Sequence, residues 1–434
     1  MTSRPVIMVG FVPVALTSLA EFQPPGSVIV IEEPDVIRKR DVAEKVRDAP
    51  VARGVIPWEY QVAGAADAFY NTHSDLDPVA IAPLQEYATP FAARLAERFG
   101  LPGAGFGAVE LLRNKALLRT VTAAAGIANP ESETVTGVQD VLRFMSAHPG
   151  RVVLKPANRQ AAVGTRIVDH PDQVEQAWSE CVLQDEGVMV PDRGFPLHML
   201  VERYVHGHEY SVEMLVDKGE QVFANITDKV LFAGDRPIEA GHVVPADLPA
   251  ATAELLLDQT RQVLRAVGFG TGIVHCEWIV TDGVSYLVEC AGRFAGDGII
   301  DLVERAYPVE LVRAFWTLLR GEPLPHPLPT RAEQAAAVAF LHGEPGEVLH
   351  VAGLEEMTSA PGVVSGYLGV QPGDRIRELR SSWDRIGAVT VVSPTAEEAL
   401  RRAQDATRLV QVKVQPAAPD TEHPAADQTG EATA

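Results

Sequence analysis

Two glutamates and two lysines stand in this chain where a charge is costly to keep. Glu277 and Glu289 lie within apolar, strand-like runs, CEWIV and YLVECAG, on either side of the hairpin-turn pair Asp282-Gly283. Across a tight hairpin that spacing can set both carboxylates on one face of a sheet. Two converging carboxylates suit Mg²⁺ when nucleotide phosphates complete its octahedron; the plainer alternative is a buried glutamate paired with Arg293. Lys155 sits in VVLKPA among apolar neighbours, and a lysine rarely enters such a run without a partner. An anion would be that partner, and the small and polar residues of 157–165 could close over a polyphosphate through backbone N–H groups. Lys115, in LLRNKALLR, reads on its own as a solvated helix face. Gly103, Gly105 and Gly107 imitate a phosphate loop, but they follow no strand and lack the later glycine and acidic partner of a dinucleotide fingerprint, so a turn before a helix is expected.

Positioning these groups takes several layers of structure. The chain has 434 residues, enough for about three domains. The runs VIMVGF (6–11) and SVIVIEE (27–33) suit a parallel sheet covered on both faces. Helices are expected at 89–99, 110–125, 250–267 and 396–410, and strands at 151–168 (two, with a loop between), 272–293 (a hairpin), 335–341 and 388–392. The segment 198–217 looks like another hairpin joined around Gly207, and the Pro-rich stretch 321–330 is the best boundary. From 415 onward Pro, Ala and Thr without an aromatic indicate a disordered tail. With 37 basic against 58 acidic residues, net charge −21, the chain is a poor partner for nucleic acid or an anionic membrane. Three cysteines fit a reducing cytosol, and no apolar run approaches the roughly 20 residues that span a bilayer. A P-loop NTPase is excluded, since no Walker A pattern occurs.

Taken together, Lys115, Lys155, the Glu277/Glu289 pair and Arg293, in that order, resemble the ATP-grasp superfamily. The resemblance implies α/β and α+β multidomain architecture: a pre-ATP-grasp α/β domain (1–112) and an ATP-grasp region (113–325) with a lid lobe at about 146–210 and a metal- and substrate-binding lobe at about 211–325. A small C-terminal α+β domain (326–413) and the disordered tail (414–434) complete it. It also implies that Lys115 and Lys155 bind ATP phosphates with Arg293. Glu202, Arg203, Tyr204 and Val205 would form the hinge that holds adenine by its backbone, with Glu209, after Gly207 and His208, on the ribose. Glu277 and Glu289 would hold Mg²⁺. Where the family usually has Asn in Glu-x-Asn-x-Arg, this chain has Ala291, which leaves open whether one or two metal ions bind.

Within the superfamily the chain is similar to the L-amino acid ligases, the group of the bacilysin and dapdiamide synthetases. Lys229, Glu239 and His242 fall at that group's substrate-region positions, and Asp297 lies in its loop beneath the amino-acid pocket, where it could pair with a cationic substrate group or cap a helix. The implied activity is a cytoplasmic, ADP-forming carboxylate–amine ligase that makes a dipeptide or similar amide through an acyl phosphate. It would use ATP and Mg²⁺ and act on small amino acids, carboxylates or amines, and the group's members can pair as homodimers. A carboxylase of the biotin carboxylase type and a nucleotide-binding regulator without catalysis are the rival readings.

Overall fold

The computed structural model of this chain describes residues 4–183 and 186–416. Strands β1 (Val6–Val9), β2 (Val28–Glu32), β3 (Ala52–Pro57) and β4 (Ala80–Pro83) form a parallel sheet in the order β3-β2-β1-β4. Every residue of β1 and β2 is buried, as expected of strands covered on both faces. Alternation divides them: Val6 and Met8 join a core with Leu16 and Leu19, whereas Ile7 and Val9 pack with Phe69, Phe91 and Leu95.

The single helix expected at 110–125 is two helices, Phe106–Arg113 and Lys115–Ala124. Asn114 breaks them. It is extended, at φ −114° and ψ 102°, and its side chain accepts the N–H groups of Ala116 and Leu117 at 3.0 and 3.3 Å. An asparagine that can cap a new helix competes with continuing the old one. Lys115 therefore begins a helix instead of lying along one.

A second sheet follows, antiparallel, from β5 (Ser132–Val135), β6 (Val152–Pro156), β7 (Arg166–Val168) and β8 (Met199–Arg203), in the order β5-β8-β6-β7. Leu154 and Val152 turn to a core with Val141, Phe144 and Cys181 of the covering helices, so Lys155 falls on the opposite face.

The main sheet begins with β9 (His208–Asp217), β10 (Glu220–Leu231), β11 (Glu239–Val244), β12 (Gly272–Thr281) and β13 (Val284–Ala291). The segment 198–217 is thus no hairpin: β8 and β9 belong to different sheets. Gly207 lets the crossing chain lie against the β12 edge, since a Cβ there would stand 2.5 Å from the Val280 carbonyl oxygen.

Beyond the Pro-rich stretch come β14 (Ala335–Leu341), β15 (Gly346–Ala352), β16 (Val363–Leu368), β17 (Arg375–Ile376), β18 (Gly387–Ser393) and β19 (Gln411–Pro416). Three of these extend the main sheet, whose order is β13-β12-β9-β10-β11-β14-β18-β16. The join is β11 against β14, with His242 opposite Val338 and Gly241 opposite Ala339. The C-terminal unit therefore shares a sheet with the segment before it, which brings its 381–386 loop over the first half. Residues 414–416, expected in the tail, belong to β19 instead, where Val414, Gln415 and Pro416 pair with β15. The rest of that expected tail lies outside the described residues. Among the described residues no helix is long and apolar enough to cross a membrane.

Candidate functional site

Between the lid sheet, the main sheet and the C-terminal loop lies a cavity of about 950 Å³. All twelve site residues expected from the sequence line it: Lys115, Lys155, Glu202, Arg203, Val205, Glu209, Lys229, Glu239, His242, Glu277, Glu289 and Arg293. The Gly103–Gly105–Gly107 segment does not; its carbonyls at Gly103 and Ala104 accept the N–H groups of Thr271 and Gly270, as a turn against β12.

Lys155, buried, bonds Glu202 at 2.7 Å, and Arg119 holds the other oxygen of the same carboxylate at 2.8 Å. Burial pushes the Glu202 carboxyl up, but Arg119 and Lys155 outweigh it and keep it below its usual range. Burial pushes Lys155 down, and the neighbouring cations Arg119 and Lys115 add to this against the pull of Glu202. Two cations share one carboxylate, which leaves a net positive charge facing the cavity. Lys115, far from being a solvated face, bonds Glu289 at 2.7 Å and the Arg159 carbonyl at 3.2 Å. Arg293 does not pair with either glutamate. It donates to Glu86 and to the Phe294 carbonyl, each at 2.7 Å. Glu86 comes from the first sheet's domain, and Arg113 shares it at 3.3 Å.

Glu277 and Glu289 are direct cross-strand partners in the β12–β13 register. Each keeps one oxygen engaged. Lys229 bonds Glu277 Oε1 at 2.6 Å and His275 Nε2 meets the same oxygen at 3.1 Å, while Lys115 takes Glu289 Oε2. One oxygen on each carboxylate has no such partner among the described residues. Among the described residues no group of three or more His, Cys, Asp or Glu could form a closed metal cage. Two open carboxylate oxygens beside the cations Lys115 and Lys155 fit Mg²⁺, which binds through one or two carboxylates plus substrate phosphates. Ala291, at the end of β13, faces His275 in the register and offers no oxygen.

Lys229 is the centre of the acidic wall, reaching Glu209, Glu277 and, at 3.6 Å, Glu239. Glu209, expected on a ribose, is thus paired with Lys229. Burial raises the Glu209 carboxyl above its usual range, with Lys229 only partly offsetting it. Three acids around one ammonium leave negative charge for a bound cation to offset.

Sequence reasoning missed the layer behind Glu277. His275 places Nδ1 2.9 Å from Glu213 and Nε2 against Glu277, so both ring nitrogens carry protons. Burial lowers its pKa, but the bonds to Glu213 and Glu277 push it up to about 10. Glu213 is fully buried and also accepts from Ser211, Asn225 and Thr227. The available signal was the i, i+2 spacing of His275 and Glu277, which sets both on one face of β12.

At the end nearest the C-terminal loop, His242 Nε2 lies 3.1 Å from Asp297, and its buried Nδ1 has no partner among the described residues. Asp297 caps no helix: the next helix, Ile299–Ala306, has no side-chain cap. Arg385 of the C-terminal loop donates to both oxygens of Asp297. Ser382 from the same loop bonds Glu239 at 2.9 Å, and its N–H reaches the Ala161 carbonyl of the lid loop at 3.4 Å. At the opposite end Arg203, Tyr204 and Val205 line the cavity where the chain crosses between sheets, with Val153, Ile167, Ile279 and Val288 supplying apolar wall.

Comparison with known proteins agrees with this geometry. Residues 148–301 match the ATP-grasp domain, and residues 339–415 match the L-amino acid ligase C-terminal domain 2. The chain therefore carries an ATP-grasp domain followed by an L-amino acid ligase C-terminal domain. It is 28% identical over 345 residues to an uncharacterised protein of Sinorhizobium fredii, covering 79% of this chain and 69% of that one. It is 24% identical over 319 residues to the alanine–anticapsin ligase of Bacillus subtilis, covering 70% of this chain and 62% of the relative. The chain thus spans somewhat under two thirds of that ligase's length. The fold is that of the L-amino acid ligase from Bacillus licheniformis, with TM-score 0.77 at 18% identity over 95% of this chain and 99% of that one. Three strands of the second sheet fall within 146–210, the stretch expected as a lid lobe, and the chain crosses from that sheet to the main one at Gly207.

Proposed function

We propose that this ATP-grasp protein joins a carboxylate to an amine, forming an amide and releasing ADP and phosphate, with two amino acids as the substrates. One arrangement carries the reading: Lys115, Lys155, Arg293 and the Glu277/Glu289 pair face the same cavity as the His242–Asp297 corner. Phosphoryl transfer to a carboxylate brings two anions together, so positive charge must be in place before they meet. Lys115, Lys155 and Arg293 supply it. Glu277 and Glu289 would hold Mg²⁺, which would supply further positive charge to the phosphates. A substrate carboxylate oxygen attacks the γ-phosphorus, ADP leaves, and the amine nitrogen of the second substrate then displaces phosphate from the acyl carbon.

His242 can take the amine proton. Its Nε2–H is fixed toward Asp297, which leaves the unpartnered Nδ1 as the acceptor. Water must be kept from the acyl phosphate, and the lid loop 157–165 lines the cavity while touching Ser382 at Ala161. Hinge backbone at 203–205 is assigned to adenine and Glu209 to the ribose end.

The test is a matrix of amino-acid pairs with ATP and Mg²⁺, read by phosphate release and mass spectrometry of the products. An amide formed with ADP supports the proposal. Turnover that needs bicarbonate and no amino acid replaces it with carboxylation, and tight ATP binding without ADP from any pair replaces it with a nucleotide-binding role.

A further inference from the structure

The corner where His242 meets the C-terminal loop carries an arginine that the ligation steps leave unused. Asp297 and Arg385 both line the cavity. Arg385 Nη1 donates to Asp297 Oδ2 at 2.9 Å and Nη2 donates to Oδ1, a two-point pair with side chains 10% and 22% exposed. The guanidinium is pinned from three further sides. Its Nε donates to the Ser382 carbonyl at 2.8 Å, Nη1 approaches the Glu239 carbonyl at 3.4 Å, and its plane lies 3.7 Å from the Phe340 ring centroid. Phe340 also meets the His242 ring edge-on at 5.8 Å. One aromatic platform on β14 therefore sets both partners of Asp297.

We propose that Arg385 determines charge selection in the amino-acid pocket: by neutralising Asp297 it reserves this corner for a substrate side chain that carries no charge. The inference rests on the ligase reading for the existence of an amino-acid pocket. Its physics is local. With Asp297 and Arg385 paired, the corner is neutral, and a charged side chain entering it loses water without gaining a partner. Removing Arg385 leaves Asp297 with His242 alone, and removing Asp297 leaves Arg385 with carbonyl and ring contacts but no carboxylate, so each then becomes available to a substrate of opposite charge. The two removals must act in opposite directions, which loss of packing alone would not produce.

The measurement is selectivity between isosteric amino acids in the full chain, as binding by calorimetry with ADP and Mg²⁺ present and as kcat/KM. Arg385→Met should raise the preference for L-lysine over L-norleucine by about tenfold or more. Asp297→Asn, which leaves Arg385 unpaired, should raise the preference for L-glutamate over L-glutamine by a similar factor. The double variant should lose both gains. Either single variant is decisive if the other fails to fold. No change in the ratios, or the same direction in both variants, overturns the proposal. Wild-type protein that makes amides while the variants keep its ratios defeats the charge selection alone. Wild-type protein that makes no amide with any pair defeats the ligase reading, and the calorimetric ratios then still decide the role of Arg385.

Discussion

Replacing His275 with leucine separates orientation of the metal-binding carboxylate from stability of the fold. In the native protein His275 donates one N–H to Glu277 at 3.1 Å and the other to Glu213 at 2.9 Å. His275→Leu therefore removes one of the two groups that turn Glu277 Oε1 away from the metal position, while Lys229 keeps its 2.6 Å bond. Loss of an outer partner of this kind costs about 10- to 100-fold in metal affinity. The same change strands Glu213, fully buried, without its counter-ion. Breaking a buried pair costs about 3–5 kcal/mol, and the remaining donors from Ser211, Asn225 and Thr227 place the expected loss near the lower end. Mn²⁺ binding in the presence of ADP, followed by the resonance of free Mn²⁺, reads the first effect; urea unfolding reads the second. Adding Glu213→Gln should recover much of the stability and none of the metal affinity. Metal affinity within twofold of wild type in a folded His275→Leu protein would refute the orienting role.

Other perturbations test neighbouring parts of the site. Glu277→Ala should abolish turnover, and His242→Ala should depress use of the amino acids while ATP affinity, read by calorimetry, stays close to native. Glu202 has a folded-state pKa below its ordinary 4.5, because Arg119 and Lys155 outweigh burial, so its stabilisation is present above pH 4.5 and lost as pH falls through the lowered value. Glu202→Gln should flatten the acid limb of a stability-against-pH curve measured by urea unfolding, besides lowering stability at neutral pH. Asn114→Ala removes the cap that starts the Lys115 helix and should cost about 1 kcal/mol in the same assay, with a rise in KM for ATP as Lys115 loses its fixed place.

Much of the scaffold was legible because its signals are local. Helices Thr89–Phe99 and Ala250–Val267 match the expected bounds, each closed by a glycine in the left-handed region, and the β12–β13 hairpin follows Asp282-Gly283. The misreadings have local causes too. At 110–125 the apolar periodicity continued through Asn114 and concealed its capping role, and at 198–217 two apolar runs around a glycine imitate a hairpin although their strands enter different sheets. A short period of apolar residues reports that a strand exists; it carries no information about which sheet receives it.

The order of Lys115, Lys155, Glu277, Glu289 and Arg293, each set in an element of readable type, was enough to indicate phosphate and metal chemistry without coordinates. The partner of each charge was not. Glu202 is joined to Arg119 across 83 positions, Arg293 to Glu86 across 207, and Asp297 to Arg385 across 88. Such pairings depend on sheet order and register, and above all on β11 accepting β14 as its neighbour, which carries the C-terminal loop to the cavity. Backbone hydrogen bonding can be satisfied by many strand neighbours, so burial of the whole core, and not any local pattern, selects the one that brings Arg385 to Asp297.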